Sequence, residues 1–288
     1  MQLPTTEVSD IYRQNSQILL FNGVSQKHPE AIILGGQPAC GKSQILESLL
    51  REQATIFFPI NGDNYRIFHP DYENLIKNKP LEFSTETQNF SGVFTENLIQ
   101  DASNKKFSLI VEGTMRTAEV PQKTASLLHQ KGYHVGIAVI AAHPKITELG
   151  IYRRYIRQLT EQGYGRLSDI RSHNMACAGL LTSVQTLYQD KTVDFINIYS
   201  YLGETMLASY SLVNNEWNNN ISPIEVIEHE RSRQINSIEV LYHHIQLGEN
   251  LLQQMQDNYF LSDKVRTVIK DITTYYDIAL KQKKGRKL

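Results

Sequence analysis

The run Gly36-Gln37-Pro38-Ala39-Cys40-Gly41-Lys42-Ser43 constrains this chain more than any other segment. Its Gly-x4-Gly-Lys-Ser spacing follows a short apolar run at residues 31–34 and precedes a helix-period stretch over 43–50. Strand, glycine-rich turn and helix are the setting in which such a loop turns its backbone N–H groups inward around phosphate oxygens. Lys42 then supplies a point charge to the β- and γ-phosphates, and the Ser43 hydroxyl offers a ligand to Mg²⁺. The following helix adds the positive end of its dipole. The expectation is a nucleoside triphosphate, ATP or GTP, held by residues 36–43. Cys40 lies in the loop as a small filler rather than a nucleophile.

A loop of this kind requires a buried parallel strand before it, and the rest of the sequence supplies more of them. Apolar runs at 56–60, 107–111 and 135–142 match the first. They are followed by Asn61-Gly62-Asp63, Glu112-Gly113-Thr114 and His143-Pro144. Helix-period segments, such as 91–102 and 121–131, lie between them. Strands alternating with helices predict an α/β fold, a P-loop kinase-like three-layer architecture with a mainly parallel sheet. Ligands of such sheets sit at the carboxyl ends of the strands. At the N-terminus, Ser9 is expected to cap a helix burying Ile11, Ile18 and Leu19. Residues 147–189 read as helical and carry Arg153, Arg154, Arg157, Arg166 and Arg171. Strands at 193–199 and 206–213, around a turn at Gly203, close this domain, placed at 1–217. An Asn-rich stretch, Asn214-Asn215 and Asn218-Asn219-Asn220, reads as a polar joint before Ser222-Pro223. Beyond it, 218–288 is expected to form a small all-α bundle ending in a basic tail.

Charge and composition remove several classes of function. The 288 residues carry 29 basic against 30 acidic side chains, so no global field recruits nucleic acid or an anionic membrane. The two cysteines, Cys40 and Cys177, make neither a disulfide framework nor a metal-ligand spacing. No apolar run approaches the roughly 18 residues of a spanning helix. A cytoplasmic location is the expectation.

Among P-loop chemistries, a GTPase would carry Asp-x-x-Gly and Asn-Lys-x-Asp, and neither occurs at a strand end. A motor-type ATPase strand would usually end in Asp, whereas 107–111 leads into Glu112. Phosphoryl transfer to a small molecule asks for a carboxylate beside the acceptor hydroxyl and for cations around the transferring group. Asp63 suits the first need and the arginines of 153–166 the second. Each residue also has a plainer reading. Asp63 can cap the next helix, Glu112 can be a structural acid paired with Arg116, Glu96 can be ordinary helix surface, and Arg153, Arg157 and Arg171 can form a solvated face.

The motifs resemble those of the zeta toxin family, kinases of UDP-N-acetylglucosamine from bacterial toxin–antitoxin systems. The resemblance runs from the P-loop through Asn61-Gly62-Asp63-Asn64-Tyr65-Arg66, His69-Pro70 and Thr95-Glu96. It continues through Val111-Glu112-Gly113-Thr114-Met115-Arg116-Thr117, Val120-Pro121 with Thr124, and Lys131-Gly132-Tyr133, to Arg154-Tyr155 and Arg166. The Glu-Gly-Thr-x-Arg-Thr block with the upstream Asp discriminates far better than the P-loop. The resemblance implies that Asp63 is the general base for the 3′-hydroxyl of the amino sugar. It further implies that Lys42, Arg154 and Arg166 hold the triphosphate and that Ser43 holds Mg²⁺. Arg66, Glu96, Glu112, Thr114, Arg116 and Thr124 would line the sugar-nucleotide pocket with Asp63. In such systems the antitoxin is a small helical protein acting in trans, and the helical segment 218–288 reads as a candidate antitoxin fused in cis. Another small acceptor (a nucleotide, NAD or a drug) and a nucleotide-gated binding module without turnover are the competing readings.

Overall fold

A computed structural model describes residues 3–52, 55–203, 205–257 and 263–285. Along the chain run α1 (Thr5–Leu19), β1 (Glu30–Gly35), α2 (Lys42–Glu52), β2 (Phe57–Asn61) and a 3₁₀ helix (Gly62–Phe68). Next come α3 (Tyr72–Asn78), α4 (Phe83–Glu86), α5 (Gln88–Asn104), β3 (Ser108–Glu112), α6 (Glu119–Gln130) and β4 (His134–Ala141). Then follow α7 (Pro144–Gln162), α8 (Ile170–Gln189), β5 (Phe195–Ser200), a 3₁₀ turn (Tyr201–Gly203), β6 (Met206–Val213) and β7 (Glu216–Trp217). Three helices complete the chain: α9 (Pro223–Asn236), α10 (Ile238–Asp257) and α11 (Asp263–Gly285).

The strands make one sheet in the order β2-β3-β1-β4-β5-β6-β7. β1 to β5 pair in parallel, whereas β6 and β7 are antiparallel. The two-residue period of β1 explains the layers. Ala31 and Ile33 enter the main core beneath α1, α5, α6 and α8, while Ile32 and Leu34 pack on Ile45 and Leu49 of α2. With both faces covered, the apolar runs have no polar side, as parallel strands require. The expected parallel α/β sheet is therefore present.

Several local expectations change. Pro4, not Ser9, precedes the first turn of α1, and the helix buries Val8 and Tyr12 while Ile18 stays 81 % exposed. Ile11 and Leu19 do pack against the core. The segment 147–189 is two helices, because Gly163 adopts φ 76° and ends α7. The Asn-rich stretch is the β6–β7 hairpin rather than a joint. Asn214 and Asn215 take φ 52° and 64°, the left-handed pair a tight hairpin turn needs, and Asn218 exchanges hydrogen bonds with Ser211.

Packing also divides the segment 218–288. Ile227 of α9 lies in the main core with the sheet, and Gln234 of α9 bonds the end of β4. α10 and α11 instead form a hairpin against α7, where Leu241, Leu251, Met255, Ile269, Ile272 and Tyr276 enclose Ile146, Leu149, Tyr152 and Ile156. α9, the first helix beyond residue 217, thus packs with the sheet. Among the described residues, no helix is long and apolar enough to cross a membrane.

Candidate active site

The P-loop joins β1 to α2 at the carboxyl edge of the sheet. Ala39 and Gly41 take φ 64° and 106°. At Gly41 a side chain is also excluded by space, since a Cβ would stand 2.6 Å from Leu202 Cα. Leu202 N donates to Cys40 O at 3.2 Å, so the turn after β5 closes over the loop. Lys42 Nζ lies within the loop, 2.7 Å from Gly36 O and 3.2 Å from Gln37 O. Ser43 is exposed at the start of α2. Cys40 is fully buried and burial pushes its thiol pKa up, so it stays an inert filler.

Asp63 follows β2. Its plainer role is taken by a neighbour: Asn61 caps the 3₁₀ helix, its side-chain oxygen accepting from Asp63 N at 2.9 Å. The Asp63 carboxylate is thereby left for other partners. Arg166 forms an ion pair with it, and Arg66 Nε approaches to 2.9 Å. Burial alone would raise the Asp63 pKa, but Arg166, and after it Arg66, hold the carboxyl well below the usual carboxylate range. Arg66 is itself anchored to Ser84 O at 3.1 Å and to Thr87 Oγ1. It supports Asp63 and is only 12 % exposed.

Glu112 ends β3 in register with Asn61, and Asn61 Nδ2 donates to both its carboxylate oxygens at 3.0 and 3.1 Å. The partner of Glu112 is therefore Asn61, not Arg116. Burial raises the Glu112 pKa, opposed by Lys42, with Asp63, Arg166 and Arg154 also within electrostatic reach. Those five groups form one charged cluster at the strand ends. Arg154, on α7, donates to Ser168 Oγ at 2.5 Å, and its buried Nε has no protein partner. Burial, then Arg166, lowers its pKa to about 10, which leaves it a cation at neutral pH. α7 also sets its Gly150 against Ala39 of the P-loop.

The remaining expected residues have other surroundings. Thr114 is exposed and Arg116 half-buried in the loop after β3. That loop is seated on α8: Met115 O accepts from Ser183 Oγ at 2.9 Å, and Arg116 O crosses Gly179. Thr124 Oγ1 bonds its own helix at Val120 O. Glu96 on α5 is 71 % exposed and faces Lys123 of α6 at 3.9 Å. Neither Glu96 nor Thr124 joins the charged cluster. Arg153, Arg157 and Arg171 are exposed, Arg157 3.9 Å from Glu161 and Arg171 4.0 Å from Asp169. His173 is buried beside Thr147 and Cys177, and burial lowers its pKa. Asn61 and Ser168 are the residues that motif reading left without a role. Asn61 stands inside the quoted motif, but its two partners are separated from it by 2 and 51 positions.

A P-loop at the carboxyl edge of a mainly parallel sheet, with a carboxylate and two arginines in one cluster with its lysine, defines the class as a P-loop α/β protein. The zeta toxin family model matches residues 19–216, and the chain belongs to that family, whose members are toxins of toxin–antitoxin systems. The toxin zeta of Enterococcus hirae is 30 % identical over 223 residues, 77 % of this chain and 76 % of that protein. Toxin PezT of Streptococcus pneumoniae serotype 4 is 31 % identical over 195 residues, 67 % of this chain and 77 % of that one. A solved chain from the PezAT chromosomal toxin–antitoxin system of S. pneumoniae superposes with a TM-score of 0.72 at 27 % identity. That match covers 89 % of this chain and 99 % of the other, more than residues 1–216 alone could supply. Part of the C-terminal helical segment therefore has a counterpart there.

Proposed function

We propose that the chain is an ATP-dependent kinase that phosphorylates the 3′-hydroxyl of the amino sugar of UDP-N-acetylglucosamine, and that it acts as a zeta-type toxin in the cytoplasm. The observation that carries this reading is the Asp63 carboxylate, free of capping duty and placed in one electrostatic cluster with Lys42, Arg154 and Arg166. In the proposed reaction the sugar hydroxyl attacks the γ-phosphorus, its proton passes to Asp63, and ADP leaves. Lys42, Arg154 and Arg166 meet the charge on the phosphate oxygens. Arg166 is shared between Asp63 and the phosphate, so its transfer to the phosphate strengthens Asp63 as a base. Thr114 and Arg116 offer donors to the nucleotide-sugar diphosphate, while Glu112, Glu96 and Thr124 complete the pocket wall.

Mg²⁺ suits this donor set in one way only. Among the described residues no group of three acidic, His or Cys side chains could hold a metal ion. A magnesium that arrives with the nucleotide needs few protein ligands, and Ser43 would hold it, supplying charge neutralisation at the phosphates.

An antitoxin acting in trans fits better than the C-terminal segment acting in cis. The α10–α11 hairpin occupies the α7 face of Ile146, Leu149, Tyr152 and Ile156, whereas Gly150 meets Ala39 of the P-loop and Arg154 is within electrostatic reach of Arg166, Asp63 and Glu112. Incubation with ATP, Mg²⁺ and a panel of UDP-sugars, nucleosides, NAD and aminoglycosides, read by mass spectrometry, tests the acceptor. A phosphorylated UDP-N-acetylglucosamine is expected. Phosphorylation of another acceptor alone would replace the substrate, and nucleotide binding without any product would replace the enzyme with a binding module.

A further inference from the structure

We infer that Gln234, on α9 and outside the span matched by the family model, is a positioning residue for the nucleotide site. Between them, its amide and that of Gln37 in the P-loop hold three consecutive residues, 141–143: Gln37 bonds the middle one and Gln234 the outer two. Gln37 is fully buried, and its Nε2 donates to Ala142 O at 2.7 Å. Gln234 is 5 % exposed; its Nε2 donates to Ala141 O at 2.7 Å, and its Oε1 accepts from His143 N at 2.8 Å. Glu230 Oε1 accepts a further bond from Gln234 Nε2 at 2.9 Å, which fixes which end of the amide faces which partner.

The gripped segment is a junction between the two halves of the site. Val139, two residues before it, pairs with Gly35 at the entry to the P-loop. His143, at its end, caps α7 by accepting from Lys145 N at 3.2 Å. α7 then presses Gly150 on Ala39 and carries Arg154. A shift at 141–143 thus moves the Gln37 side of the loop and the Arg154 helix together. The bond to Ala141 O is buried and that from His143 N part-buried, so an apolar replacement removes a partner from each with little water to replace it.

This inference rests on the nucleotide-site reading above, so the test has a readout independent of it. Gln234→Met is compared with Ile227→Ala, a cavity-forming change elsewhere on α9, where Ile227 is fully buried. Gln234→Met is expected to weaken ATP binding by calorimetry roughly tenfold, the equivalent of one or two lost hydrogen bonds. It should also speed hydrogen exchange at the amides of 36–43 in the nucleotide-free protein. Ile227→Ala should lower Tm while leaving both readouts near wild type. If Gln234→Met does not fold, Gln234→Asn, whose shorter amide cannot reach both Ala141 O and His143 N, should show the same two changes. Equal exchange and equal affinity in wild type and either folded Gln234 variant would overturn the inference. Absence of ATP binding by wild type would overturn the nucleotide-site reading instead, with the exchange comparison still deciding the role of Gln234.

Discussion

Asp63 sits between two guanidiniums, and this keeps it ionised at neutral pH but only weakly basic while Arg166 remains on it. Asp63→Asn should lower kcat by about 10²–10⁴-fold, the usual worth of a general base, and leave the ATP dissociation constant within a few-fold. The same ion pairs give a sign to acid stability. Since the folded pKa lies below the unfolded value near 3.9, the contribution is present above that pH and lost as pH falls through the folded value. The Tm difference between wild type and Asp63→Asn should therefore shrink on going from pH 7 to pH 2. A gap that widens on acidification would contradict the pairing. Asn61→Ala removes the cap and the donor to Glu112 together, and should cost about 1 kcal/mol in chemical denaturation. The places of Lys42, Ser43 and Asp63 after β1 and β2 were legible in the sequence because motif and strand context agree there. Asn61 was not, because an asparagine after a strand reads equally as a turn residue, and only tertiary pairing brings Glu112 to it.

The elements of the site are held by close backbone approach as much as by polar bonds. At Gly179 a Cβ would come within 1.8 Å of Arg116 O, so α8 admits the loop after β3 only where it has no side chain. Gly179→Ala should displace that loop and raise KM for the acceptor several-fold with KM for ATP unchanged; equal changes in both would contradict a role limited to the acceptor side. Legibility differed between elements for physical reasons. Parallel strands buried on both faces read as continuous apolar runs, and all of those runs became strands, with their ends shifted by one or two residues. The helix break at Gly163 was lost because polar residues continue on both sides of it. The 3₁₀ helix at 62–68, with α3 and α4, follows from tertiary packing, where Tyr65 and Phe68 stack on Phe94 at centroid distances of 5.2 and 5.3 Å. Short polar-rich sequence of that kind carries no strong period.

At the scale of the whole molecule, the C-terminal helices pack in two places, α9 on the sheet and α10–α11 on α7. α9 belongs to the main core, and the α10–α11 hairpin covers four apolar side chains of α7, the helix that carries Arg154. At about 1.5–3 kcal/mol for each fully buried side chain, uncovering them removes an amount comparable to the net stability of a domain. Truncation after residue 236 should therefore yield an unstable, aggregating chain; a folded product with higher activity would instead support inhibition in cis. The sequence showed the helical character of this segment but not its place, because helix periodicity marks an apolar face without naming what it covers. The central claim concerns the reaction, and ³¹P NMR of wild type and Asp63→Asn with ATP, Mg²⁺ and UDP-N-acetylglucosamine tests it most directly. The account predicts a new phosphomonoester on the amino sugar, formed with ADP by wild type and not by Asp63→Asn. No such product from either protein, or equal product from both, would contradict it.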